Sequence, residues 1–396
     1  MLIHWACDND IHPPLFGATQ RLFGLARGMA QRAQVRALCA VPNRSRGARE
    51  ERVAGVEILR VKSWHTSVAW WLERARVAPL FTAEAGHRAR AGHYRALLGA
   101  PPDLLLCDLP LAGMFIGAGR ALRVYHAHNV EAQRWQSTAP RVWRGGHWGA
   151  RLAELERRAV HESDLCVACT DEDAELLRSL HGARDVEVVA NGYDETALAP
   201  ATAEQRARAR ASLGIPESHY VAAFVGGDWA PNHEALAHLV TRVLPALVSE
   251  GFTLLAVGAV ARAWAGREVP GLVTRTETPE LAPVLAAADC GLNPVTRGGG
   301  SNVKLPGYLA MGLAVVTTSF GLRGYAPLAS AVVSVPLEDT AAALHARPRG
   351  WAARGEPAPA VLAGYAWGAL GARLADSLAA RRAASTTSAA GKAGAA

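Results

Sequence analysis

Short, nearly continuous apolar runs alternate with helix-period segments along most of this chain, and the alternation restarts after a break near residue 200. In the first half the runs are Leu2–Cys7, Val35–Val41, Gly55–Val61, Asp103–Leu109, Leu122–His128, Asp164–Thr170 and Val186–Ala190. Strands covered by helices on both faces read this way, apolar throughout instead of every second residue. Between the first two runs, Ala18–Gln34 places Leu22, Leu25, Ala26 and Met29 on one helical face. The pattern predicts βαβ units and a parallel sheet.

Residues 195–219 interrupt it with an Ala/Arg/Glu-rich stretch, Ala201–Ala211, and the punctuation Gly214-Ile215-Pro216. Strands are then expected at Tyr220–Gly226, Phe252–Val260, Leu272–Arg275, Cys290–Val295 and Ala314–Thr318, with helices at Asn232–Glu250, Pro279–Ala287 and Lys304–Met311. A chain of 396 residues favours two domains. The fold class expected is α/β, with two Rossmann-like parallel-sheet domains over 1–195 and 196–364 facing across a cleft. Open sheets of this kind bind ligands at the carboxyl ends of their strands. A last helix over 365–382 carries Trp367, Leu370 and Leu374 on one side, and 383–396, without periodicity, reads as a disordered tail.

No apolar run is long enough for a transmembrane helix. Met1–Ala6 lacks a basic region before it and meets Asp8 and Asp10 at once, so it does not read as a secretory signal. A cytoplasmic protein is expected, with contact to the inner face of a membrane left open. Cys166 and Cys169 have no second pair at zinc-ligand spacing and read as core residues of a buried strand. Residues 1–150 hold 20 Arg plus Lys against 10 Asp plus Glu, and the remainder 22 against 25. A basic first domain suits an anionic acceptor or an acidic membrane surface, and a generically Arg-rich chain fits equally well. Trp64, Trp70 and Trp71 lie beside Arg74, Arg76, Arg88, Arg90 and Arg95. Such a helix can seat in a membrane interface, although packing on the first sheet is the plainer reading.

Four segments carry chemistry. Pro13-Pro14-Leu15-Phe16-Gly17-Ala18-Thr19-Gln20-Arg21 joins the first strand to the first helix, and Gly17 lets backbone amides approach a phosphate or sugar there. No G-x-G-x-x-G or Walker pattern is present, which argues against dinucleotide binding and ATP hydrolysis. Tyr125-His126-Ala127-His128-Asn129-Val130-Glu131 ends a strand with His126 and His128 on one face, suited to hydrogen bonding and proton transfer at a substrate hydroxyl. No third metal ligand stands at a supporting spacing, so no metal is expected. Phe224-Val225-Gly226-Gly227-Asp228-Trp229-Ala230-Pro231-Asn232 opens the second domain as strand, glycine turn and helix start, with Asn232 read as N-cap. The most specific is Arg297-Gly298-Gly299-Gly300-Ser301-Asn302-Val303-Lys304, followed by Leu305-Pro306-Gly307-Tyr308-Leu309-Ala310-Met311-Gly312. Lys304 is the only lysine between residues 63 and 391. A glycine loop at a helix start with Arg and Lys nearby suits a diphosphate.

In this order the four segments, with Asn191-Gly192-Tyr193-Asp194 and the Tyr365-Ala366-Trp367 helix, resemble the GT-B glycosyltransferases, and within them the family-4 (group 1) bacterial sugar transferases. The resemblance spans residues 1 to about 380. It implies acceptor binding by the first domain, nucleotide-sugar binding by the second, and a last helix that crosses back to the first domain. It places His128 beside the transferred sugar, with His126, Asn129 and Glu131 near acceptor or sugar. Gly17 matches the loop over the donor phosphates, and Gly226, Gly227, Asn232, Arg297, Gly300, Ser301, Asn302 and Lys304 match the donor site. Transfer in the family needs no metal and usually retains anomeric configuration. No cofactor is implied beyond the nucleotide-sugar donor. The acceptor is a saccharide, a lipid-linked saccharide or a small molecule, and no nucleic-acid partner is implied.

The family commonly has two Glu eight positions apart around the fourth segment, where this chain has Gly299 and Gly307. It often has an Arg and a Lys after the strand that opens the second domain, where this chain has Gly226-Gly227-Asp228-Trp229. An active sugar transferase in polysaccharide or glycolipid assembly is the leading expectation, with Lys304 and Arg297 replacing the phosphate clamp. A scaffold that has lost catalysis is the alternative, and a sugar-nucleotide epimerase a more distant one.

Overall fold

The computed structural model describes residues 1–45, 47–79, 101–108, 110, 115, 118–139, 143, 147–278 and 280–393. Arg88, Arg90 and Arg95 lie outside them. The chain divides into two compact units: unit 1 is Met1–Ala190 with Trp367–Ala396, and unit 2 is Asn191–Ala366.

In unit 1, β1 (Leu2–Cys7), β2 (Gln34–Pro42), β3 (Glu50–Val53), β4 (Val56–Ser63), β5 (Leu104–Asp108), β6 (Leu122–His126), β7 (Leu165–Ala168) and β8 (Val186–Val188) form one sheet in the order β3-β4-β2-β1-β5-β6-β7-β8. Every pairing is parallel except β3 with β4. The strand direction of travel reverses at β1, which pairs β2 on one side and β5 on the other. The crevice at the carboxyl ends of β1 and β5 is therefore the topological switch point, where such sheets take ligands. β5 ends there in Asp108, paired in register with His126 of β6.

Helix α1 (Gly17–Met29) buries Leu22, Leu25, Ala26 and Met29, the stripe read from the sequence. α2 (Trp64–Arg74) follows β4, and α3 (Glu131–Thr138), α4 (Trp148–Glu162) and α5 (Asp171–His181) follow β6 and β7. The last helix, here α9 (Trp367–Ala393), belongs to unit 1 and packs on α1. Glycine permits that approach: a Cβ on Gly24 would stand 2.4 Å from the Trp367 ring, and one on Gly371 would stand 2.4 Å from the Leu25 carbonyl oxygen. The structureless tail expected from 383 is helical through Ala393 instead. Alanine is the strongest helix former, and seven of residues 379–393 are alanine, which sustains a helix without an apolar stripe.

Unit 2 carries β9 (Tyr220–Val225), β10 (Phe252–Val257), β11 (Leu272–Arg275), β12 (Cys290–Asn293), β13 (Ala314–Thr317) and β14 (Val333–Ser334), all parallel, in the order β11-β10-β9-β12-β13-β14. Here the reversal falls at β9, between β10 and β12. α6 (Ala203–Leu213) opens on a capping box of Thr202 and Gln205 and stops at Gly214 in the left-handed conformation. α7 (Ala230–His238) runs into a π-helical turn, Leu239–Val243, so the long helix read at 232–250 is several segments in line. α8 (Lys304–Ala310) follows β12. The two Rossmann-like sheets agree with the α/β fold read from the sequence.

Candidate functional site

At the unit 2 switch point the turn after β9 and the loop after β12 face each other. Trp229, and not Asn232, is the N-cap of α7. Asn232 sits at the third helical position, nearly buried, because its amide has a different use. Its Nδ2 donates to the Gly227 carbonyl at 3.2 Å, closing the glycine turn, and its Oδ1 accepts from Lys304 Nζ at 3.0 Å. The ammonium lies 4.4 Å from the centre of the Phe224 ring. Lys304 is half-exposed along its length, but burial around the ammonium lowers its pKa from 10.5 to about 7. Among the described residues no carboxylate is recorded pairing with it.

The loop Gly298–Val303 is shaped by close approach. Gly298 has φ +142°, and a Cβ there would stand 2.4 Å from Trp229 Cη2, so the indole covers this end of the loop only because the residue is glycine. Asn191 Nδ2 donates to Ser301 at both the carbonyl (2.9 Å) and Oγ (3.0 Å), and Tyr325 Oη donates to the Asn302 carbonyl at 2.9 Å. The Ser301 and Asn302 carbonyls are thus held, while the N–H groups of Gly299, Gly300, Ser301 and Asn302 have no acceptor among the described residues. α8 is pinned by Tyr308, whose ring stands 2.2–2.3 Å from where a Gly291 Cβ would be and whose Oη accepts from Val225 N at 2.9 Å. Gly291→Ala should therefore cost about 1–3 kcal/mol of unit 2 stability and push α8 off the sheet. Urea unfolding followed by intrinsic fluorescence checks this.

At the unit 1 switch point Asp108, His126 and His128 converge, all buried. Their donor atoms lie within 4.8 Å of one another, so the fold supplies the third ligand-type group that sequence spacing did not show. Asp108 Oδ1 is in contact with His128 Nε2 and 3.9 Å from His126 Nδ1. The buried Arg21 of α1 donates from Nε to His126 Nε2 at 3.1 Å and from Nη1 to the Ala190 carbonyl at 3.0 Å. Burial, and then the Arg21 charge, pull His126 down to about 3. Burial alone would raise the Asp108 carboxyl, but His128 and His126 beside it outweigh that and hold it at about 2. A metal ion here would have to displace ring protons beside a fixed guanidinium, so the group fits proton sharing better than metal binding.

Asn129 and Glu131 are engaged locally. Asn129 Nδ2 donates to Glu131 Oε1 at 3.0 Å, and Arg134 Nε donates to Glu131 Oε2 at 2.8 Å. Below them, the fully buried Glu156 of α4 accepts from the amides of Glu131 (2.7 Å) and Ala132 (2.9 Å), from Tyr125 Oη (3.1 Å) and from His181 Nε2 (3.0 Å). It caps α3 and ties β6 to that cap. Gly17 is the first residue of α1, one turn before Arg21.

The family model described as Glycosyltransferase Family 4 matches residues 17–197, and the one described as Glycosyl transferases group 1 matches 219–346. This chain belongs to the group 1, family-4 type glycosyltransferases of GT-B fold. No curated protein sequence matches it. Among solved structures it is similar to sucrose-phosphate synthase from Thermosynechococcus elongatus, at 16% identity and TM-score 0.65, covering 96% of this chain and 94% of that one. It is similar to WaaG, a glycosyltransferase involved in lipopolysaccharide biosynthesis (18%, TM-score 0.59, 95% of each chain). It is also similar to the Anabaena protein HepE in complex with UDP and glucose (14%, TM-score 0.54, 97% and 99%).

This group 1 glycosyltransferase departs from the family pattern at identifiable places. Gly307 is buried in α8, where an added Cβ would meet Leu198 Cδ1 at 3.3 Å, a tight contact that the end of the leucine side chain would have to relieve by a small shift. Arg297 is held by Glu234 through two contacts, with Nε to Oε2 at 2.8 Å, and so is not a spare cation. Three buried residues escaped the sequence reading. Arg21 stood in a motif without a role, Asp108 ends an otherwise apolar strand, and Glu156 interrupts the apolar stripe Leu152, Leu155, Ala159, Val160. A charge on a core-facing position was the signal in the last two.

Proposed function

We propose that this glycosyltransferase moves a hexosyl or related sugar from a nucleotide-diphosphate sugar to an acceptor hydroxyl, with retention and without a metal. The observation that carries this reading is the loop at the unit 2 switch point. Four amides without acceptors lie in the loop that leads into α8, and Lys304, the first residue of that helix, ends in a buried ammonium that no carboxylate among the described residues is recorded to pair. A departing diphosphate supplies both the charge and the acceptors that this loop lacks. Gly226, Gly227 and Asn232 shape the opposite wall, and Gly300, Ser301 and Asn302 the loop. Arg297 joins the phosphates only by leaving Glu234. His128 is assigned to the transferred sugar and Gly17 to the donor phosphates, both by family likeness. UDP is the nucleotide to test first, because the Anabaena relative was solved with it.

Release of UDP, GDP, ADP or dTDP from sugar nucleotides, assayed with EDTA present, tests the reading. Turnover with one nucleotide, insensitive to EDTA, is expected, and product NMR would show the anomeric configuration kept. Glycine at 299 and 307 favours a second reading, a scaffold without catalysis. Failure of all four nucleotides to raise the melting temperature would select that reading.

No helix among the described residues is long and apolar enough to cross a membrane. Peripheral contact is a separate matter. α2 turns small residues inward, Thr66 and Ala69, and leaves Trp64, Val68, Trp71 and Leu72 outward, with Trp64 and Trp71 each 69% exposed. Arg74 lies over Trp70 at 5.3 Å. We assign this face to the interface of an acidic bilayer, in keeping with the basic excess of residues 1–150. Anionic liposomes should retain the protein and lose most of it on Trp64→Ser with Trp71→Ser. Equal recovery with neutral and anionic liposomes would remove the idea.

A further inference from the structure

Asp108 has no part in the donor site and no assigned role, yet it occupies the centre of the buried group in unit 1. The protons around it can be placed one after another. Arg21 can only donate, so His126 Nε2, which receives Arg21 Nε at 3.1 Å, is a bare acceptor. The neutral His126 ring therefore carries its proton on Nδ1, the atom 3.9 Å from Asp108 Oδ1. The same carboxylate oxygen is against Nε2 of His128. An ionised carboxylate can only accept, so the His128 nitrogen facing it must hold a hydrogen. Nε2 of His128 is sealed from solvent, with Asp108 as its ion-pair neighbour and no hydrogen bond of regular geometry, and no hydrogen bond to Nδ1 is recorded among the described residues.

We propose that Asp108 is a positioning residue that fixes His128 as the tautomer protonated on Nε2, leaving the Nδ1 lone pair to accept a hydrogen bond from a hydroxyl of the transferred sugar. Arg21 acts one step further back. Burial, and then its charge, keep His126 neutral and so keep a donor, not a second cation, on the far side of the carboxylate. Without that order the imidazole of His128 could turn or carry its proton on the substrate side, and the hydroxyl would meet a donor instead of an acceptor. The role assigned to His128 rests on the transferase reading above, but the tautomer can be measured without any turnover.

Long-range ¹H–¹⁵N correlation NMR on ¹⁵N-histidine-labelled full-length protein at pH 8 tests it, with His128 assigned by its disappearance in His128→Gln. The expected spectrum has the His128 proton on Nε2 and a bare Nδ1. A proton on Nδ1, alone or together with Nε2, overturns the proposal, and this arm needs no change at Asp108. Asp108→Asn should then move the proton to Nδ1, because the new amide can donate to Nε2, and kcat should fall at least tenfold with donor KM little changed. An Asp108→Asn protein with the wild-type His128 tautomer and wild-type kcat would also overturn it. If wild-type protein shows the expected tautomer but turns over no sugar nucleotide, the transferase reading fails and the positioning inference stands.

Discussion

Lys304→Ala is expected to lower kcat/KM for sugar-nucleotide turnover by roughly 10²–10³-fold, the loss usual when one charge-stabilising donor is removed from a preorganised site. The ammonium is fixed from two sides, by Asn232 Oδ1 at 3.0 Å and the Phe224 ring at 4.4 Å. It therefore needs no reorganisation when charge develops on the leaving diphosphate. Lys304→Arg should recover little, since a planar fork does not fit a seat shaped for a point charge. Arg297→Ala should cost far less, because Glu234 already holds that guanidinium. The pH dependence follows from the same burial. With its folded pKa lowered to about 7, Lys304 binds its proton less tightly than in the unfolded chain, whose value is 10.5. Between pH 7 and 10.5 the unfolded chain holds more protons, so this residue makes stability rise with pH across that window, and the contribution is lost as pH falls through 7. A bound diphosphate reverses the balance by favouring the ammonium.

Glu156→Ala should destabilise unit 1 by about 3–5 kcal/mol, because each buried donor left without its acceptor costs roughly 1–3 kcal/mol and part of that is relieved by relaxation. Four donors converge on this carboxylate: the amides of Glu131 and Ala132, the Tyr125 hydroxyl and His181. Glu131, Tyr125 and His181 are buried and Ala132 partly so, so most of these donors are offered no water when the acceptor goes. Glu156→Gln should cost less, because the carboxamide oxygen still accepts while its nitrogen faces other donors. Urea denaturation of the three proteins checks the order. Loss of the α3 cap should also loosen the segment from His128 to Glu131, so the alanine variant should lose activity before it loses fold.

Central strands, the α1 stripe and the glycine-loop motif were legible because each is a local pattern. Continuous apolar runs sufficed for β1, β2, β5 and β9, which are covered on both faces. The edge strands β3 and β14 were not legible: Glu-Glu-Arg-Val over four residues has no apolar alternation, and two residues carry no period at all. In the proposed donor site, Ser301, Asn302 and Lys304 were picked out from their spacing, but the partner of Lys304 could not be. That Asn232 reaches across to it, instead of capping α7, depends on contact between residues 72 positions apart. The Asp108–His126–His128 group was half legible for the same reason. Two histidines of one strand are visible in a line of text, whereas the carboxylate between them arrives from the neighbouring strand.

The account depends on Lys304 and the glycine loop gripping a diphosphate. Calorimetric titration with UDP at pH 8, repeated in buffers of different ionisation enthalpy, measures that grip directly. Wild-type protein should bind UDP with uptake of up to about one proton, as the ammonium re-forms beside the phosphates, and Lys304→Met should bind far more weakly with no uptake. Equal affinity and equal proton uptake in the two proteins would contradict it.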